Sequence, residues 1–312
     1  GSTGTECLET TERYDPTTDR WTEQEEMTDQ RCGPTATLLR DGRVLVTGGT
    51  TFQDIVASAE LYDPNTGLFS PAASMSVPRI GHTATLLSNG TVLVVGGQAD
   101  STGTFLATAE IYDPTTGLWA PTGTMADVRG WHTATRLENG NVLAVAGCCG
   151  RRDPQASAEL YDPDTGAWRS AGALAQFRWA AAATLLADGQ VLVMGGTVEG
   201  LTGMDSAELY DPLVGRWTTV APMSDGRFRL QATVLEDGRV LVSGGIGNPD
   251  TLAAVELYDP DADRWVRDAT LAEARFGHTA TILEDGSVLV VGGTLDAYPV
   301  STAERYRLRV DR

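Results

Sequence analysis

The apolar positions of this chain fall in short runs, punctuated at close intervals by glycine, proline, asparagine and aspartate. One stretch displays the unit: Arg79-Ile-Gly-His-Thr-Ala-Thr-Leu-Leu, then Asn89-Gly90, then Val92-Leu-Val-Val-Gly-Gly. Two β-rich runs flank a two-residue turn, and the turn pair recurs at Asp41, Asn89, Asn139, Asp188, Asp237 and Asp285, each followed by glycine. Such pairs tolerate positive φ at both turn positions, which a tight two-residue hairpin requires. A third strand is predicted at Ala59-Glu-Leu-Tyr and its counterparts, ended by Asp-Pro because proline cannot donate to a ladder. A fourth begins near Phe69, Trp119, Trp168, Trp217 or Trp265, and no stretch carries helical periodicity.

The unit repeats. A diglycine recurs with its second glycine at Gly49, Gly97, Gly147, Gly196, Gly245 and Gly293, the third repeat having Ala146 in the first place, at intervals of 48, 50, 49, 49 and 48 residues. Tyr-Asp-Pro keeps the same beat at Tyr14, Tyr62, Tyr112, Tyr161, Tyr210 and Tyr258, and Tyr306 falls in register without the Asp-Pro. This regularity is one structural unit repeated six times. Four short strands per unit make it a β-propeller blade.

The landmarks in phase, a diglycine after an apolar strand, a tyrosine thirteen to sixteen residues later and a tryptophan seven after that, make residues 12–308 similar to kelch repeats. The resemblance implies an all-β, six-bladed kelch β-propeller of four-stranded antiparallel blades. A single domain over 1–312 is expected, with blades near 31–75, 79–125, 129–174, 178–223, 227–271 and 275–308. Six diglycine strands stand against seven Glu-x-Tyr segments. The N-terminal segment 12–27, with Trp21, is therefore expected to close the ring by lending outer strand material to the blade begun at Arg275, with one third-strand candidate displaced or added at an edge.

Composition narrows the chemistry. With 312 residues and 41% hydrophobic content the chain can close a core. The formal net charge of −19 argues against nucleic-acid or anionic-membrane partners, and no apolar run reaches a membrane span. All 23 basic residues are Arg, which excludes lysine Schiff bases and a phosphate-binding lysine. The diglycines end strands instead of opening helices, so NAD, FAD and ATP are not expected. Gly1-Ser2 reads as a cloning remnant without a charged-then-apolar targeting segment after it, leaving the compartment, cytoplasmic or secreted, undecided. A monomer is expected.

The repeat explains most conspicuous residues, and what it leaves over is informative. Trp21, Trp119, Trp168, Trp217 and Trp265 share one repeat position and are expected to pack blades. The three histidines, His82, His132 and His278, sit three residues after the repeat's Arg; positions spread around a ring favour packing over a shared metal site. The repeated Arg31, Arg79, Arg129, Arg178, Arg227 and Arg275 are expected to bond carboxylates or carbonyls within or between blades.

If the inner strand led by each Arg runs away from a face, the second strand returns to it, so the loops after the diglycines and the residues around each Arg emerge together. That face collects Cys32, Gly130-Trp131, Trp179, Phe228-Arg229 and Phe276, with Phe52, Phe105, Cys148-Cys149, Arg151-Arg152 and Tyr298 from the loops; Cys7 reaches the same side. Cys32, Trp131, Arg151, Trp179, Phe228, Arg229, Phe276 and Tyr298 are the expected ligand-binding set, a mouth suited to a small molecule or modified peptide. Plugging the narrow end of a channel is the alternative role for the aromatics.

Three functions follow. The first is a ligand-binding propeller without cofactor, of non-redox isomerase or cyclase type, resembling in layout the kelch enzymes that isomerise sugars. Asp54, Asp100, Asp153, Glu199, Asp205 and Asp296 are its acid and base candidates, and no catalytic role is assigned among them. The second is a copper metalloenzyme with Cys32 and Cys148 or Cys149 as thiolate ligands. Kelch propellers include copper radical oxidases resembling galactose oxidase, but spare tyrosines and isolated histidines are missing here. A Cys7–Cys32 disulfide and a merely buried Cys148-Cys149 pair compete with that reading. The third is a protein-interaction adaptor, which must meet a surface of strongly negative potential.

Overall fold

The computed structural model describes residues 1–148, 155–198 and 202–308, and every regular element among them is a strand. Blade one is Thr35–Leu38, Val44–Thr47, Ala59–Asp63 and Leu68–Ala72; blade two is Thr83–Leu86, Val92–Val95, Ala109–Asp113 and Leu118–Pro121. Blade three is Thr133–Arg136, Val142–Val145, Gln155–Asp162 and Ala167–Arg178; blade four is Ala182–Leu185, Val191–Met194, Ala207–Asp211 and Arg216–Val220. Blade five is Gln231–Val234, Val240–Ser243, Ala254–Asp259 and Arg264–Thr270, and all five are four-stranded sheets in chain order. The sixth sheet has three strands, Thr279–Ile282, Val288–Val291 and Ala303–Tyr306.

The chain divides into two compact units, Gly1–Ala144 with Cys148–Asp153 and Glu159–Ser170, and Val145–Gly147 with Pro154–Ala158 and Ala171–Arg312. The first holds blades one and two, the second holds blades four to six, and the strands of blade three contribute to both.

Within each unit the cores lie between successive blades. Val92 and Val94 pack with Leu45, Leu61 and Met75 of blade one, while Leu93 and Val95, on the opposite face of the same strand, pack with Val142, Ala144 and Met125. Both faces are dry, which is why the second strand reads as continuous Val and Leu instead of alternating. Each such side chain contributes roughly 1.5–3 kcal/mol on burial. The repeat tyrosine stands opposite the outer-strand aromatic, as Tyr112 opposite Trp119 and Tyr258 opposite Trp265, with ring centroids 5.0 and 4.9 Å apart. The indoles then donate backwards: Trp119 to Ala73 O at 2.7 Å, Trp168 to Gly123 O at 2.9 Å, Trp217 to Ala171 O at 2.9 Å and Trp265 to Ala221 O at 2.8 Å. The expected blade-packing role of these four is thereby realised.

Two local features differ from expectation. The Asp-Gly and Asn-Gly turns have positive φ only at the glycine, as at Gly42 with φ 88°. Gly42 N–H donates to Leu39 O at 3.1 Å, Leu39 N–H donates to Arg43 O at 2.8 Å, and the Asp41 carboxylate accepts the Arg43 N–H at 3.0 Å. This is a three-residue loop with a glycine bulge, whose Asp or Asn is selected for its side-chain acceptor and not for positive φ.

The second difference concerns the chain ends. The sixth sheet ends at Ala303–Tyr306, which pairs with Val288–Val291, and the N-terminal segment adds no outer strand to it: Glu12–Asp15 and Arg20–Glu23 pair only with each other. The physical reason is that Glu304 and Tyr306 already satisfy the third-strand contacts, Glu304 with Arg275 at 2.7 Å and Tyr306 opposite Val288. Trp21 accordingly packs on Tyr14, 5.1 Å away.

Candidate functional site

The repeated arginines are completely buried, and their partners are the repeat's glutamates. Arg178 donates from Nη1 to Gly195 O at 2.8 Å and Ser206 O at 3.0 Å, and from Nη2 to Glu208 at 2.9 Å. The same ion pair recurs as Arg31–Glu60, Arg79–Glu110, Arg129–Glu159, Arg227–Glu256 and Arg275–Glu304. Each guanidinium thus ties the end of the second strand to the third and has no surface left for a ligand. Removing one member of such a buried pair costs about 3–5 kcal/mol.

The diglycine is where the next blade's arginine backbone abuts. Gly49 N–H donates to Arg79 O at 2.9 Å, and a Cβ on Gly48 would stand 2.5 Å from that same carbonyl. Beyond this point the residue after each arginine pairs with the residue after the diglycine: Cys32 with Thr50, Ile80 with Gln98, Gly130 with Cys148, Trp179 with Thr197, Phe228 with Ile246 and Phe276 with Thr294. Strand direction therefore brings the loops and the arginine-led segments together as expected.

One residue further on, every repeat turns left-handed: Gly33, Gly81 and Gly277 at φ 60°, 64° and 63°, and Trp131, Ala180 and Arg229 at φ 50°, 52° and 55°. These residues link successive blades through their backbones. Trp131 N–H donates to Gly81 O at 2.8 Å, Arg229 N–H to Ala180 O at 2.9 Å, and Gly277 N–H to Arg229 O at 3.0 Å. For an L residue this conformation costs about 1–2 kcal/mol, a strain that functional positions commonly hold. The two large side chains placed there are Trp131 and Arg229. Sequence reasoning named both without their backbone state, although the glycine recurring at the same place in three repeats was the signal for it.

Two aromatic patches result, one in each unit. In the first, the Trp131 indole lies over Gly81, where a Cβ would meet it at 2.8 Å, and Phe105 meets it edge-on at 5.8 Å. In the second, Trp179 and Phe228 have centroids 6.4 Å apart, and the Arg229 guanidinium stands 5.6 Å from the Phe276 ring centre.

A model of the kelch motif matches residues 31–76, 79–126 and 178–224, three stretches in which the buried Arg, the diglycine and the tyrosine occupy the places just described. The chain is a kelch-repeat β-propeller. Among solved structures it is similar to a fungal alcohol oxidase of the AA5 family in complex with copper, with TM-score 0.75 and 21% identity over 92% of this chain. It spans 63% of the length of that protein. It is also similar to YjhT, with TM-score 0.71 and 16% identity over 88% of this chain and 93% of that one. At these identities the likeness is one of fold, and it shows the six-bladed propeller. No curated protein matches the chain.

On this kelch frame the expected site residues separate. Trp131 and Trp179 are half-buried, Phe276 likewise, and Arg229 is exposed. Phe228 is only 1% exposed, so it has no face to offer a ligand and instead supports Trp179. Tyr298 is 77% exposed and pairs with Leu295 in a short hairpin; its ring joins neither patch. Cys32 is bonded to Cys7, so its sulfur is not a thiolate available to a metal or ligand, and Cys148 is 6% exposed. Arg151 and Cys149, with Arg152, Asp153 and Glu199, lie outside the described residues.

The kelch histidines lock blades. His82 Nε2 bonds Thr35 at 2.9 Å, His132 Nε2 bonds Thr83 at 3.0 Å, and His278 Nε2 bonds Ser243 at 2.8 Å. Burial, reinforced by the neighbouring arginine, lowers their pKa values to about 3, 3 and 4. They are neutral structural rings. Of the acidic candidates, Asp100 bonds Thr102 and Thr104, which holds its carboxyl well below the usual range and unsuits it as a proton donor. Asp54, Asp205 and Asp296 are exposed.

Proposed function

We propose that this kelch propeller binds a small organic molecule or a modified peptide on the patch formed by Trp179, Arg229 and Phe276, as a non-redox enzyme of isomerase or cyclase type. The observation carrying the reading is the placement of a large cationic side chain at a left-handed position where three other repeats have glycine. Strain of this kind clusters at functional sites, and here it is held beneath a cationic side chain that reaches solvent. Trp179 and Phe276 provide apolar area beside a single directional charge, the usual make-up of a ligand site.

The copper-bound oxidase among similar structures supports copper chemistry only at the level of fold. The residues here do not fit a thiolate copper site: Cys32 is held in a disulfide, and among the described residues no three His, Cys, Asp or Glu side chains gather as a metal-binding group.

The test is a fragment panel screened by ligand-observed NMR against the wild type and Trp179→Ala. Fragments that bind the wild type with sub-millimolar affinity are expected to weaken about tenfold or more when Trp179 is truncated. Retention of every hit by both Trp179→Ala and Arg229→Ala would dispose of the reading.

A further inference from the structure

We infer that Arg229 is an oxyanion seat, and that the ligand of the patch is a flat aromatic molecule bearing a carboxylate. This rests on the ligand-binding reading above and names its chemical class.

Charge supplies the first observation. The chain has 42 Asp and Glu residues against 23 Arg, so carboxylates are abundant. Six arginines are locked to repeat glutamates, and Arg43, Arg239, Arg267 and Arg305 each hold an aspartate at the surface. Among the described residues none of the ion pairs involves Arg229.

Geometry supplies the second. Arg229 has its backbone fixed on both sides, N–H to Ala180 O at 2.9 Å and C=O from the Gly277 N–H at 3.0 Å, so the side chain starts from a rigid base. Its guanidinium stands 5.6 Å from the Phe276 ring centre, which orients a cation without using its N–H groups. The planar fork is therefore left to a two-oxygen acceptor, for which guanidinium geometry is matched. The surrounding protein removes part of its hydration, and that lowers its pKa, so an incoming anion displaces less water than at an ordinary surface arginine.

The third is the neighbourhood. Ala180, which receives the Arg229 N–H, directly follows Trp179, and Trp179 is braced by buried Phe228. A carboxylate on Arg229 thus places the body of its ligand among half-buried Trp179 and Phe276, surfaces that favour a flat aromatic group.

The experiment is calorimetric titration of the full chain with 2-naphthoate and, as its uncharged counterpart, 2-naphthylmethanol. The wild type is expected to bind the carboxylate about tenfold or more tighter than the alcohol. Arg229→Gln and Arg229→Gly should abolish that preference while leaving the alcohol's affinity within twofold, and Arg229→Gly should melt no lower than the wild type. Equal binding of the two probes by the wild type, or an undiminished preference in Arg229→Gln, overturns the oxyanion seat. In that case an alcohol lost by Trp179→Ala leaves the ligand-binding reading standing. Failure of both probes to bind overturns the inference as well, and only an empty fragment screen takes the broader reading with it.

Discussion

A left-handed backbone is tolerated by glycine and resisted by every L residue, so Trp131, Ala180 and Arg229, which hold it where the other three repeats have glycine, differ in what they reveal. Trp131 covers Gly81 and Arg229 stands over the Phe276 ring, so each has a side-chain contact to set against the strain. Ala180, at φ 52°, has only a methyl group. Ala180→Gly is accordingly expected to raise stability by up to about 1 kcal/mol, the relief of the left-handed penalty less the entropy glycine adds to the unfolded chain. Chemical denaturation measures it, and a loss of stability would mean that the methyl packs more than its backbone suffers. At this scale the sequence was half legible. Residue type singled out Trp131, Trp179 and Arg229 as departures from the repeat, whereas φ is invisible to periodicity, and Phe228 and Tyr298 look alike as loop aromatics until one is seen at 1% and the other at 77% exposure.

Elements were the most legible level, because diglycine, Tyr-Asp-Pro and Asp-Gly each mark a backbone event that the repeat performs many times over. Strand order and the Tyr–Trp register follow from those marks; the repeated arginines were legible as partners of carboxylates or carbonyls, and the structure supplies the glutamates. Legibility failed at the ends, where two segments carry the same third-strand pattern and only local connection decides that Ala303–Tyr306 occupies the place. The N-terminal segment is held otherwise: Cys7, 1% exposed, is bonded to Cys32, and the Leu8 carbonyl accepts the Arg31 N–H at 3.1 Å, as the Val56 carbonyl accepts that of Arg79 at 3.2 Å. A cross-link closing 25 residues stabilises by about 3.5 kcal/mol in the loop-entropy account. Cys7→Ser should lose roughly that amount, with hydrogen exchange accelerating at Leu8 and Arg31 before blades two to five. A denaturation midpoint indifferent both to the substitution and to reductant would show that the segment is held by its backbone contacts alone.

For the whole molecule, pH acts through two opposing sets of groups. The buried histidines have folded pKa values of about 3 to 4 against about 6.5 when unfolded, so the unfolded chain takes up protons that the folded one refuses. Their contribution is complete above pH 6.5 and is lost progressively as the pH falls toward 4. The net charge of −19 works the other way, since titrating surface acids on acidification relieves self-repulsion. Salt separates the two: at about 1 M the Debye length is near 3 Å, so repulsion between exposed acids is screened while buried rings are unaffected. At high salt, stability is expected to fall steadily from pH 6.5 to 4. His278→Leu, which borrows the residue that Leu230 supplies at the same place in another repeat, should flatten that slope even though it leaves the Ser243 hydroxyl without its ring partner and lowers stability at neutral pH. A wild-type profile that stays level across this window would mean that the three rings accept protons inside the fold, and the blade-locking role assigned to them would fall with it.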